Sequence, residues 1–93
     1  MEIGDVRIRE VRHPDGKLRA VASMTIDGCF VVHDIRIFER DGAFMVAMPS
    51  RRTSEGGFKD VAHPLNSETR EYVQSTILES YEKFLASKTE GED

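Results

Sequence analysis

The first half of the chain alternates between apolar and polar residues with a period of two, which is typical of β-strands with one face toward water. Val6 and Ile8 alternate with arginines and predict a first strand. A second strand places five apolar residues on one face: Leu18, Ala20, Ala22, Met24 and Ile26. A third strand is expected over 29–38, where the run FVV indicates burial on both faces. A short fourth strand over 44–48 ends at Pro49.

Turn-forming residues separate these strands. The segment 13–16, His-Pro-Asp-Gly, predicts a turn because Pro presets φ and Gly accepts a positive φ. Asp27-Gly28 is a strong hairpin sequence, and Asp41-Gly42 turns the chain again. The sequence therefore predicts an antiparallel β-meander of four to five strands.

The apolar pattern lapses from Ser50 to Asp60, and Gly56-Gly57 within this stretch predicts an exposed, mobile loop. Phe58 and Val61 either form a small strand or hold the loop against the body of the protein. Pro64 ends the stretch.

A long helix is predicted after the loop. Either Asn66 or Ser67 caps it, since both side chains can accept a bond from the first free N–H groups. One apolar stripe at helical spacing is expected to pack on the sheet, although part of it could contact a partner: Val73, Ile77, Leu78, Tyr81, Phe84 and Leu85. We expect a single α+β domain over 1–87 and a disordered polar tail over 88–93.

The composition restricts the class of protein. The 93 residues suffice for one small domain with a modest core, which pairing with a second copy would enlarge. No apolar run approaches the roughly 20 residues of a membrane span. The N-terminus lacks the apolar block of a signal peptide, so we expect a cytoplasmic protein with no membrane partner. The single Cys29 excludes an internal disulfide framework and is expected to be a buried thiol.

Catalytic and metal-binding patterns are absent from the sequence. His33 and Asp34 resemble an acid–base pair, but neighbours on a strand point to opposite faces unless a bulge intervenes. His13 lies in a turn, and His63 is placed to bond to backbone near the helix start. The histidines and Cys29 lack the close pairs of a zinc site, and no nucleophile elbow or phosphate loop is present. We therefore expect no enzyme, no metal and no cofactor.

The net charge of −4 argues against a generally basic nucleic-acid binder. The acidic excess lies in residues 68–93, however, so residues 1–67 are neutral overall. Within the neutral part, Arg51 and Arg52 follow Pro49-Ser50 and are the best candidates for clamping phosphates. Thr53 could donate a further hydrogen bond and Lys59 could add a charge. The alternative is a solvated loop whose arginines form weak surface ion pairs.

A second basic patch is predicted on the first two strands. If these strands form a hairpin, Arg7, Arg9 and Arg19 can share its exposed face, and Arg70 at the helix start is the nearest helical addition. The alternative is that these arginines only protect the sheet edge and favour solubility. Aromatic residues are not interleaved with either patch, which argues against a base-stacking platform.

Three ordered blocks resemble the stage V sporulation protein G family, also called septation regulators: VVHDIRI, VAMPSRR and DVAHPLNSETR. The resemblance spans nearly the whole chain and implies a homodimer that regulates septum formation, or sporulation in spore formers. Proteins of this family are associated with binding DNA, and in some cases RNA, through the basic segment that Arg51, Arg52 and Thr53 match here. Glu55 departs from a purely basic segment.

Two functions are consistent with these expectations. The first is a small dimeric regulator that contacts the phosphate backbone of DNA or RNA, with low sequence specificity and a steep salt dependence. The alternative is a protein-interaction module that acts on the division machinery through its acidic helix and tail, without contacting nucleic acid.

Overall fold

The computed structural model describes residues 1–11 and 16–90, which form an α+β fold. Four strands build an antiparallel sheet in the order β1-β2-β3-β4, and two short strands pair separately as β5-β6. The elements are β1 Ile3–Glu10, β2 Leu18–Ile26, β3 Phe30–Arg40, β4 Ala43–Ala47, β5 Ser50–Arg52, β6 Phe58–Asp60 and α1 Ser67–Glu90. The predicted meander and C-terminal helix are confirmed. The predicted turn at 13–16 lies, apart from Gly16, outside the described residues.

Two of the predicted turns are confirmed by their backbone angles. Asp41 and Gly42 have φ values of 52° and 81°, and their neighbours Arg40 and Ala43 pair directly, so the loop has only these two residues. Asp27 and Gly28 have φ values of 53° and 66°. Positive φ at both central residues matches the right-handed twist of the flanking strands, which is why Asp-Gly joins adjacent antiparallel strands.

The core lies between one face of the meander and the helix. Val73, Ile77 and Tyr81 are buried on α1, as the predicted apolar stripe requires. They pack against five buried residues of the sheet: Ala20, Ala22, Met24, Ile35 and Ile37. Full burial of an Ile side chain stabilises a fold by about 1.5–3 kcal/mol, so these contacts fix the helix on this face.

The two ends of the helix are also defined. Asn66 is the cap, since its Oδ1 accepts a hydrogen bond from Thr69 N at 2.7 Å. The helix runs three residues past the predicted end at Ser87, through Glu90. Lys88 in this extension forms an ion pair with Glu10 of β1, which joins the last turns of the helix to the sheet. Residues 91–93 of the predicted tail lie outside the described residues.

Two expectations for the start of β3 are wrong. Cys29 is exposed rather than buried, because it belongs to the turn that precedes β3. Phe30 and Val31 are 65% and 45% exposed in this single chain, although the sequence predicted burial on both faces. The reason is that β4 pairs with β3 only from Arg36 onward, so the first half of β3 has one unpaired edge.

Three register shifts interrupt the described part of the meander, and two of them are β-bulges on either side of the same segment of β2. In β1, Gly4 pairs with Thr25 but Arg7 pairs with Ser23, so β1 carries an extra residue there. In β3, Val32 pairs with Met24 but Ile35 pairs with Ala22. The bulges contain Asp5 and Asp34, whose φ values of 46° and 62° are left-handed.

Candidate nucleic-acid interface

The segment that was predicted to be a mobile loop is a β-hairpin made of β5 and β6. Arg51 pairs with Lys59 and Arg52 pairs with Phe58 in its register. Thr53 closes the turn, since its backbone N–H donates to Gly57 O at 2.8 Å and its Oγ1 lies 3.2 Å from both the N and the O of Gly57. The alternative of a small strand at Phe58 is therefore confirmed, and the segment as a whole is paired rather than an irregular loop.

The residues that were predicted to contact phosphate lie on two opposite faces of the hairpin. Directly opposed residues share one face of a hairpin, so Arg51 and Lys59 point the same way, and Arg52 points to the other side with Phe58. Opposed side chains have Cβ atoms about 4.5–5.5 Å apart, and like charges at that distance repel each other. Arg51 and Lys59 are both exposed, and neither has an acidic partner among residues 1–11 and 16–90.

Thr53 has a structural role in the turn of the hairpin. Its hydroxyl is used inside the turn, where it donates to the carbonyl and accepts from the amide of Gly57. It therefore shapes the end of the hairpin that presents the cations.

Arg36 attaches the hairpin to the meander and was missed by sequence reasoning. Its Nη2 donates to Ser50 Oγ at 2.6 Å, and its guanidinium lies 5.8 Å from the centre of the Phe38 ring. A backbone bond of 2.7 Å from Val61 N to Pro49 O joins the two ends of the hairpin. The alternation in β3 could have indicated this role, because Arg36 lies between the core residues Ile35 and Ile37 and so points away from the helix.

The four arginines of the predicted accessory patch do not lie together. Arg7 and Arg9 line one groove on the sheet, and Arg7 forms an exposed ion pair with Asp5 at 3.3 Å. Arg19 instead pairs with Glu39 at 2.9 Å. Arg70 lines another cavity, between β4 and the helix. Only Arg7 and Arg9 therefore remain a candidate pair.

His33 and Asp34 lie in the same groove as Arg7 and Arg9. The expectation that they point to opposite faces is corrected, because the β3 bulge adds a residue at this point of the strand. His63 is confirmed as a backbone contact, with Nδ1 3.0 Å from Pro64 O.

Residues 1–11 and 16–90 contain no group of three or more His, Cys, Asp or Glu placed to hold a metal ion. Within the same residues no helix combines the length and apolar character needed to cross a bilayer.

The fold and this surface define a small α+β protein in which an exposed basic hairpin projects from a helix-backed meander. The SpoVG family model matches residues 1–83, and the chain belongs to this family. A relative from Acetivibrio thermocellus is 50% identical over 92 residues, which cover 99% of this chain and 97% of the relative. A relative from Clostridium acetobutylicum is 50% identical over 96 aligned positions and is covered completely. A third, from Caldicellulosiruptor bescii, is 49% identical over 87 residues, or 94% of this chain and 98% of the relative. All three are named "Putative septation protein SpoVG".

Proposed function

We propose that this protein regulates septation as a small homodimer that binds nucleic acid through the phosphate backbone. Family membership and the names of the relatives support the septation role. The basic hairpin supports the binding role, and the unpaired edge of β3 supports the dimer. The family is named for septation and not for a catalysed reaction.

The cross-strand pair of Arg51 and Lys59 is the observation that carries the binding proposal. Two unneutralised cations held opposite each other repel, and an anion between them removes that repulsion while gaining charge-assisted hydrogen bonds. Arg52 on the other face of the hairpin can reach a neighbouring phosphate. Phosphate contacts of this kind position a protein on nucleic acid without reading its sequence.

The binding proposal is tested by titrating the protein against a labelled duplex and a matching RNA at two salt concentrations. Each phosphate contact contributes about 0.9 to the slope of log affinity against log salt on duplex DNA and about 0.7 on single strands. The double variant Arg51→Ala with Arg52→Ala should bind more weakly and with a shallower slope. Lys83→Ala, an exposed cation on α1, is the matched control and should change neither.

Unchanged affinity and slope in the double variant would reject the hairpin as the binding surface. Absence of binding at low salt by the unmodified protein would reject nucleic-acid binding altogether. The exposed acidic residues of α1 would then be the surface to test for a division-machinery protein.

The dimer proposal rests on the first half of β3. Its edge is open from Phe30 to Asp34 because β4 begins to pair only at Arg36. An apolar groove of about 200 Å³ adjoins this edge and is lined by Phe30, Val32 and Pro64, among others. Exposed apolar residues on an unpaired strand edge are a template for pairing with another chain, and a second copy of the same edge is self-complementary.

A further inference from the structure

A groove of about 450 Å³ lies on the face of the meander opposite the helix. Arg7 and Arg9 alternate with Ile8, which packs on the core, so the two arginines project from the uncovered face. We call this site the double-bulge groove and define it by its polar lining residues: Arg7, Arg9, Ser23, His33 and Asp34.

Backbone strain accompanies the groove. The two bulges lie on either side of the Ser23–Met24 segment of β2, one in β1 and one in β3. Each bulge holds an aspartate in the left-handed region, at Asp5 and Asp34, where glycine is the residue without steric cost. Bulges re-aim side chains, and strained residues persist only where the surrounding structure determines them.

The groove carries both signs of charge, which restricts its ligand. The guanidiniums of Arg7 and Arg9 suit a phosphate, and Arg9 forms no ion pair within residues 1–11 and 16–90. The Asp34 carboxylate would repel a second phosphate but accepts N–H groups. A duplex presents its phosphates outward and keeps the pairing edges of its bases inside. An unpaired nucleotide offers a phosphate and a base edge together, and guanine offers two adjacent N–H donors to one carboxylate.

We propose that the double-bulge groove binds one unpaired nucleotide of a single-stranded nucleic acid, with its phosphate on Arg7 and Arg9 and its base edge on Asp34. Sequence-specific recognition of RNA uses unpaired bases in this way, with contacts to their pairing edges and to the planes of His and Arg side chains. His33 lines the groove together with Asp34, and its imidazole ring can supply such a plane. This inference rests on the proposed nucleic-acid binding and specifies that the strand is unpaired.

A row of cross-strand partners joins the groove to the hairpin. Arg9 pairs with Val21, and Val21 pairs with Arg36, so the two arginines are separated by one strand. Adjacent strands are about 4.8 Å apart, which places these backbones roughly 10 Å from each other. Arg36 in turn bonds to Ser50, next to Arg51. A strand held by the hairpin can therefore continue across the sheet face into the groove.

The test compares three labelled ligands: an oligothymidine, the same strand with one central guanine, and that second strand annealed to its complement. The guanine strand should bind about ten-fold more tightly than either of the others, since one bidentate base contact is worth about 1–3 kcal/mol. Asp34→Asn should abolish the guanine preference and keep oligothymidine binding, because Asn tolerates the left-handed backbone. Arg9→Gln should weaken both single strands. Asp41→Asn, at a left-handed turn outside the groove, should change nothing.

Other outcomes separate this inference from the proposed function. If Arg51→Ala with Arg52→Ala weakens binding but Asp34→Asn leaves the guanine preference unchanged, the groove assignment is overturned and hairpin binding stands. Preference for the duplex overturns the groove assignment as well. Guanosine monophosphate is titrated separately, and affinity for it equal to that for the guanine strand overturns the strand assignment in favour of a free nucleotide. No binding of any ligand overturns both proposals.

Discussion

Among single residues, Asp34 is held in a left-handed conformation that aspartate and asparagine tolerate better than other side chains do, but less well than glycine. Its φ of 62° lies in the left-handed region, which costs an L-residue roughly 1–2 kcal/mol and glycine almost nothing. We expect Asp34→Gly to raise the free energy of unfolding by about 1 kcal/mol in urea titrations, and Asp34→Ala to lower it. Asp60→Gly is the control. Asp60 lies in β6 and has no positive φ, so glycine relieves no strain there and this variant should have a lower free energy of unfolding. Destabilisation by Asp34→Gly would show that carboxylate contacts outweigh the strain.

The raised pKa of Tyr81 makes the free energy of unfolding depend on pH in the alkaline range. Burial, reinforced by Glu10 and Glu39, raises the pKa of Tyr81 above 10.0. As the pH rises, the unfolded chain therefore loses the Tyr81 hydroxyl proton before the folded chain does. The contribution of the protonated Tyr81 to the free energy of unfolding is complete below about pH 10 and is lost as the pH passes through the folded-state pKa. Tyr81→Phe should flatten the fall in unfolding free energy above pH 10. Tyr72→Phe is a stability control, and it should lower the free energy of unfolding because it removes the Tyr72 hydroxyl that accepts a hydrogen bond from Ile3 N at 2.9 Å. Equal slopes in Tyr81→Phe and the unmodified protein would contradict this account.

Sequence reasoning at this scale fails where a side chain's direction depends on a neighbouring strand. The alternation of apolar and polar residues placed His33 and Asp34 on opposite faces. A bulge, however, is a mismatch between two paired strands, so it cannot be recognised from the hydrophobic pattern of a single strand. Cys29 was expected to be buried because apolar residues follow it, yet it lies in the turn. The Asp-Gly turns were predictable because their geometry is fixed locally by residue type.

At the scale of elements, the β5-β6 hairpin should show opposite effects of one substitution on stability and on binding. Lys59→Glu replaces the like-charge pair with Arg51 by an opposite-charge pair, which stabilises a hairpin by about 0.2–1 kcal/mol. The same change removes a phosphate-binding cation and introduces a repelling charge. We expect a higher unfolding free energy in urea and at least a several-fold loss of affinity for nucleic acid. Lys59→Gln removes the positive charge without adding a negative one, so its effects on stability and on affinity should lie between those of the unmodified protein and Lys59→Glu. Retained affinity in Lys59→Glu would exclude Lys59 from the binding surface.

The helix and the meander were predictable as elements, whereas the hairpin was predicted as an exposed loop with at most one small strand at Phe58. The stripe from Val73 to Tyr81 and the alternation in β2 both reflect burial against one core. The strands of the hairpin bury almost nothing, since Arg51, Arg52 and Phe58 to Asp60 are all exposed. Its order comes from backbone bonds and from the contact of Arg36 with Ser50, and hydrophobic periodicity contains no information on either.

At the scale of the whole molecule, the helix covers one face of the sheet and leaves two kinds of surface. The uncovered face carries the double-bulge groove and Arg36, and leads to the basic hairpin. The start of β3 carries an open edge with exposed apolar residues. The sequence predicted that a second copy would enlarge the core, but not where it would bind, because the length of β4 decides which half of β3 remains unpaired.

The open edge predicts that self-association is lost when its apolar character is removed. Phe30 is 65% exposed and lies at the groove that Pro64 also lines, so a charge there would be desolvated in a dimer but hydrated in a monomer. We expect Phe30→Glu to sediment as a folded monomer at concentrations where the unmodified protein is a dimer. Met45→Glu is the matched control, since Met45 is 51% exposed but pairs with Phe38 at the other end of β3. A monomeric unmodified protein, or a dimer that Phe30→Glu leaves intact, would contradict this interface. Since a dimer presents two hairpins and a monomer only one, the monomeric variant should also bind nucleic acid with a shallower salt dependence.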